Sequence, residues 1–219
     1  MEEHGNIDHL GSSLTDLMTS LMVIFILLLL VFVVRTAGKD AAVTDVLLRR
    51  LQQDMKPHGF NEKTIRPDPR DRNAILVIVP DRLMNFETGK SVLRPEGERF
   101  LKGYIPDFAG VLCSDTFRSN IESIVVEGHT DTQPYAGTTP EESQNRNLKL
   151  SQDRSMEVVK NALSDLSGME AKRACFLDKL SASGRGEQEP EATPEESRRV
   201  ILKIRVKVVE PQTLRKAVP

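Results

Sequence analysis

The sequence predicts a mixed α+β chain: a single N-terminal transmembrane helix, an amphipathic tether, and an α/β sandwich in which a mixed sheet packs on helices. Three observations carry this expectation. Leu17 to Val34 is a run of 18 residues without a charge, Gly or Pro. A helix of that length spans roughly 27 Å, about the thickness of a bilayer's hydrocarbon core. Removing that run, its leader and the polar stretch behind it leaves roughly 140 to 150 residues, the size of one domain. Within this remainder, short β-branched runs alternate with helical patterns. The expected divisions are a leader at 1–15, a transmembrane helix at 16–34, an amphipathic helix and linker at 35–72, a folded domain at 73–210 and a tail at 211–219.

The leader carries Glu2, Glu3 and Asp8 and no Lys or Arg. A cleaved signal peptide has a basic start and an apolar core of about 7 to 15 residues, so an uncleaved anchor is favoured. Arg35, Lys39, Arg49 and Arg50 follow the span while no basic residue precedes it. Taken alone, the positive-inside rule would put the C-terminal domain in the cytoplasm. Ala41 to Met55 places Val43, Val46, Leu47 and Leu51 at helical spacing, which predicts a short amphipathic helix with no obvious partner for its stripe. Pro57, Gly59, Pro67 and Pro69 predict a linker over 56–72.

Strands are expected at Ala74–Val79, Ile121–Glu127, Leu180–Ser183 and Val200–Val208, the last alternating apolar residues with Lys203, Arg205 and Lys207. Pro95 opens a helix to about Val111, and Ser151 is read as the N-cap of another to about Leu166.

Composition narrows the function. A net charge of −2 with mixed signs argues against a nucleic-acid partner, since phosphate binding needs clustered Lys and Arg. Cys113 and Cys175 lie 62 positions apart with no CxxC, and His is scarce, so neither a zinc nor a thioredoxin-type site is expected. The two thiols either pair in an oxidising compartment or stay buried and free. His129 lacks a second ligand or nucleophile at catalytic spacing and reads as a packing residue. No metal site and no enzymatic activity are expected.

Asp16, Thr19, Ser20 and Val23 stand at i, i+3, i+4 and i+7 and share one helix face. Two readings are open for Asp16: a cap at the headgroup level, or an acid one turn inside the membrane, where it marks an ion path. Thr15-Asp16-Leu17-Met18-Thr19-Ser20-Leu21-Met22 resembles the membrane motif of MotB-type stator subunits. The resemblance implies that Asp16 carries the transported ion, with a proton as the expected cargo, that Thr19 and Ser20 face the pore, and that no cofactor is needed. It also implies a polytopic MotA-like A subunit and a second copy of the chain as partners.

Gly128-His129-Thr130-Asp131, then Asn147, Leu150-Ser151 and Arg154, resembles the OmpA-like peptidoglycan-binding signature. Supporting matches are Phe86-Glu87-Thr88-Gly89 with Leu93, Gly184-Arg185-Gly186-Glu187 with Pro190, and Arg198-Arg199-Val200. The resemblance covers about residues 74 to 208 and implies peptidoglycan as a ligand. A stem peptide's diaminopimelate centre offers one ammonium and one carboxylate. Asp131 is expected to receive the first and Arg154, in the first turn of a helix, to grip the second. Ser151 and the helix N-terminus would add donors, with Thr130, Asn147 and Leu150 as further contacts. Without the motif, Asp131 and Arg154 would read as a surface ion pair. Arg185 and Ser197 depart from the family's usual aromatic and Asn.

A wall ligand places the domain in the periplasm and residues 1–15 inside, against the charge asymmetry. The expected function is the B subunit of an ion-driven stator in the inner membrane. A Zorya-type anti-phage system is placed first because the leader is compact and the tether short. A flagellar stator comes second, and a passive wall anchor without an ion path third.

Overall fold

The computed structural model describes the backbone of residues 5–87 and 89–207, with side chains placed over 15–34, 43–87 and 89–207. The expected tail at 211–219 and the first four residues of the leader lie outside the described residues. Residues 41–208 form one compact unit, and the apolar segment belongs to another.

Helix α1 is Gly5–Asp54. Every side chain from 15 to 34 is exposed, and Thr15–Val34 is long and apolar enough to cross a membrane. A helix apolar on all faces must be covered by lipid or by other chains. Because α1 starts at Gly5, Asp16 is interior to the helix and the capping alternative falls.

The amphipathic stripe has a partner after all. Leu47, Leu51 and Met55 are completely buried in the domain core, with Val43 and Leu48 packed at its margin. Each such aliphatic side chain contributes about 1.5–3 kcal/mol when removed from water, so residues 43–55 belong to the domain rather than to a tether. The expected linker is also structured: after a 3-10 turn at Lys56–His58, strand β1 (Ile65–Asp68) pairs antiparallel with β2 (Asp71–Pro80). Pro67, which argued against a strand, is tolerated because β1 is an edge strand.

The remaining elements are α2 (Asp81–Met84), α3 (Pro95–Leu112), β3 (Ile121–His129), α4 (Pro140–Asp165), α5 (Glu170–Lys179), β4 (Leu180–Gly184), α6 (Pro194–Ser197) and β5 (Arg199–Val206). The sheet order is β1-β2-β5-β3-β4, antiparallel except for β3 with β4, so it is mixed as expected. Ile75, Val77 and Val79 of β2, Ile124 and Val126 of β3, and Val200, Leu202 and Ile204 of β5 alternate into one core with Leu101, Ile105 and Phe108 of α3. Phe60, Tyr104 and Phe108 stack in series within it, with ring centroids 5.0 and 5.2 Å apart.

Cys113, just beyond α3, is disulfide-bonded to Cys175 in α5, which resolves the open question of their pairing. Helix α4 begins eleven residues before Ser151, capped by Thr139, which accepts from the Glu142 amide while the Glu142 carboxylate accepts from the Thr139 amide. Ser151 is therefore not an N-cap, and Arg154 is not in a first turn. The early turns escape a hydrophobic reading because their inward positions are polar: Ser143, Asn147 and Ser151 are all buried.

Candidate functional site

Strand register builds the site. Arg199 at the start of β5 sits opposite Pro80, the last residue of β2, and opposite His129, the last of β3. The residues that leave β2, leave β3 and lead into β5 therefore emerge together at one end of the sheet. These are Asp81, Thr130 with Asp131, and Arg198. Together with Asn147, Leu150 and Arg154 from α4, they line a cavity of about 390 Å³.

Helix α4 reaches that end because two glycines let it lie directly on the sheet. A Cβ on Gly128 would fall 2.1 Å from the Ser151 carbonyl oxygen, and one on Gly184 would fall 2.6 Å from the Gln152 nitrogen. Ser151 holds this contact: its hydroxyl accepts from the Gly186 amide at 2.8 Å and donates to the Leu148 carbonyl at 2.7 Å. It is fully buried and does not line the cavity, so it is placed to position α4 on the sheet and not, as expected, to donate to an anion there.

Asp131 and Arg154 share the cavity without pairing. Asp131 Oδ2 accepts from Arg198 Nη1 at 2.6 Å, and Oδ1 accepts from the Gln133 amide at 3.1 Å. The Asp131 carboxylate strengthens the hold of Arg198 on its proton. Arg154 is 4% exposed; its Nε donates to the Lys90 carbonyl at 3.0 Å and its guanidinium lies 4.9 Å over the Phe86 ring. Its terminal nitrogens make no hydrogen bond among the described residues. They are left to grip an anion in the planar fork that guanidinium offers. Burial lowers the Arg154 pKa, with Asp81 opposing that shift.

Asp81 was not anticipated. Its carboxylate lines the cavity 3.7 Å from Arg198 Nε, and burial raises its pKa although Arg154 and Arg198 oppose the shift. Arg198 belonged to a recognised motif but had no assigned role. The cavity thus holds two guanidiniums and two carboxylates, a formally neutral set. Phe86 and Leu150 give it apolar wall. Such a set suits a zwitterion better than a simple anion or cation.

Of the other expected contacts, Thr130 is 4% exposed; its amide donates to the Gly186 carbonyl, and its hydroxyl has no partner among the described residues. Asn147 reaches Glu187 at 3.4 Å. His129 is buried and does not line the cavity, with Nδ1 3.2 Å from the Gln188 carbonyl oxygen. The two departures from the family pattern, Arg185 and Ser197, lie outside the cavity. In the other unit, Thr19 Oγ1 donates to the Asp16 carbonyl at 2.9 Å, and the helix puts Asp16, Thr19 and Ser20 on one stripe.

A model of the OmpA family matches residues 85–200, which include all of these cavity residues except Asp81. Zorya protein ZorB of Escherichia coli is 23% identical over 206 residues, covering 88% of this chain and 86% of its own. Among solved structures, a MotB-like protein from Desulfovibrio vulgaris aligns with a TM-score of 0.55 at 20% identity, covering 78% of this chain and 98% of that one. The periplasmic domain of Helicobacter pylori MotB aligns with a TM-score of 0.50 at 14% identity, covering 69% and 84%. At these identities the two structures establish the fold.

Proposed function

Because the chain belongs to the OmpA family, we propose that it is the wall-anchored B subunit of an ion-driven stator in the inner membrane, acting in anti-phage defence. The observation that carries this reading is the extent of the likeness to Zorya protein ZorB. It covers 88% of the chain, more than residues 41–208 alone supply, so it is not a likeness of wall domains only.

On this reading, residues 1–15 are cytoplasmic, 16–34 cross the membrane and the domain is periplasmic. The Cys113–Cys175 disulfide supports that orientation, since such bonds persist in oxidising compartments. Asp16 takes up and releases a proton within a channel completed by a MotA-like A subunit and a second B chain. An ionised acid in hydrocarbon is costly and a protonated one much less so, which makes its titration a means of moving charge. The neutral cavity of Asp81, Asp131, Arg154 and Arg198 holds the diaminopimelate centre of peptidoglycan and fixes the complex to the wall.

The fold shared with MotB domains serves a flagellar stator equally well. Deleting the gene separates the two roles. The defence reading expects raised phage plaquing with swimming intact; lost swimming with unchanged plaquing would transfer the assignment to the flagellar motor. A periplasmic reporter fused after Pro219 tests the orientation independently.

A further inference from the structure

We propose, resting on the wall-anchor reading, that Asp81 is a specificity-determining residue that receives the ammonium of the ligand's zwitterionic amino-acid head while Arg154 takes its carboxylate. Asp131, the acid named by the sequence motif, already has both oxygens engaged: Oδ2 with Arg198 at 2.6 Å and Oδ1 with the Gln133 amide at 3.1 Å. The nearest cation to the Asp81 carboxylate, Arg198 Nε, stands at 3.7 Å, beyond hydrogen-bond reach. No side chain among the described residues donates to it. A carboxylate that lines the cavity without a protein side chain donating to it keeps its acceptor positions for a ligand, and an ammonium supplies matching donors.

The backbone fixes its position. The Asp81 amide donates to the Arg198 carbonyl at 3.2 Å, and the Asp81 carbonyl accepts from the Asn85 amide at 2.5 Å. The carboxylate is therefore aimed from the end of β2 by the same sheet register that places Arg198. Charge count gives the selectivity. With Asp81 the cavity is formally neutral and matches a head carrying one ammonium and one carboxylate. Without it, two guanidiniums face one carboxylate, and the site would favour a plain carboxylate.

The test is equilibrium binding by the detergent-solubilised full chain to three stem tripeptides. One ends in meso-diaminopimelate, one in 2-aminopimelate, which lacks the distal ammonium, and one in lysine, which lacks the distal carboxylate. Wild type should prefer diaminopimelate over 2-aminopimelate by about tenfold or more, the scale of a charge-assisted hydrogen bond. Asp81→Asn should bring that ratio to within about twofold, chiefly by weakening the diaminopimelate complex. Asp81→Ser gives a second reading of the ratio should the amide disturb folding. Arg154→Ala should weaken both peptides that carry the distal carboxylate and leave the lysine peptide unchanged. A wild-type ratio near one, or a tenfold ratio that survives in folded Asp81→Asn, overturns the role of Asp81 while the anchor reading stands. If wild type binds none of the three peptides and does not sediment with sacculi, the anchor reading itself fails.

Discussion

Asp131 is held by Arg198, with Nη1 2.6 Å from Oδ2, and not by Arg154, which donates instead to the Lys90 carbonyl. The two residues that motif reading joins are thus separate walls of one cavity, and the ion pair that orients the acid comes from the residue just before β5. Because the Asp131 side chain is only 14% exposed, losing Arg198 leaves a carboxylate with little water to replace its partner. Arg198→Ala should destabilise the domain by about 1–3 kcal/mol in urea denaturation, and the Asp131→Ala, Arg198→Ala double mutant should lose less than the sum. Strict additivity would mean that the pair contributes nothing.

Ser151 gives a prediction of a different kind. Its hydroxyl joins α4 to the loop after β4, so Ser151→Ala orphans the Gly186 amide at a fully buried position. A stability loss of about 1–3 kcal/mol is expected. Wall binding by the fraction that remains folded should be nearly unchanged. Lost binding with unaltered stability would return Ser151 to the ligand.

The burial of Leu47 and Leu51 changes what residues 43–55 do. Leu47→Ala and Leu51→Ala should each cost about 2–5 kcal/mol of domain stability, as truncations at fully buried positions do. Unfolding of the detergent-solubilised chain measures this directly. A loss below about 0.5 kcal/mol, the scale of surface changes, would show that the helix is not part of the domain.

Two acids should give stability profiles of opposite sign with pH. Burial raises the Asp81 pKa above its ordinary 3.8, so its contribution is present below that value and is lost as pH rises through the raised one. At Asp68, burial alone would raise the pKa, but it is outweighed by the hydrogen bond from Lys203 Nζ at 2.5 Å and by the Arg70 amide, and the net shift is downward. Its contribution is present above 3.8 and is lost as pH falls through the lowered value. From acid to neutral pH, Asp81→Asn should therefore gain stability relative to wild type and Asp68→Asn should lose it. Parallel profiles for the two variants would contradict both assignments.

What could be read from the sequence follows from which side of each element is apolar. The span and strands β2, β3 and β5 announce themselves through continuous or alternating aliphatic residues. Helix α4 does not, because its first turns bury Ser143, Asn147 and Ser151, although the Thr139-Pro140-Glu141-Glu142 capping box was there to mark its start. Strand β1 hides behind Pro67, and α5 buries Phe176 alone. Asp131 and Arg154 were found through a motif. Asp81 could not be, because its place in the cavity depends on the pairing of β2 with β5 and of β5 with β3, which no local pattern encodes.

The proposed function requires that one chain join an ion-carrying acid in a membrane helix to a wall anchor, and that defence need both. The most direct measurement is phage plaquing on cells that carry wild type, Asp16→Asn or Arg154→Ala in place of the native gene, with co-purification of the A subunit confirming assembly. Both variants should assemble normally and plaque as efficiently as the gene deletion. Protection at the wild-type level from well-expressed Asp16→Asn would contradict the account, leaving a wall anchor that moves no ion.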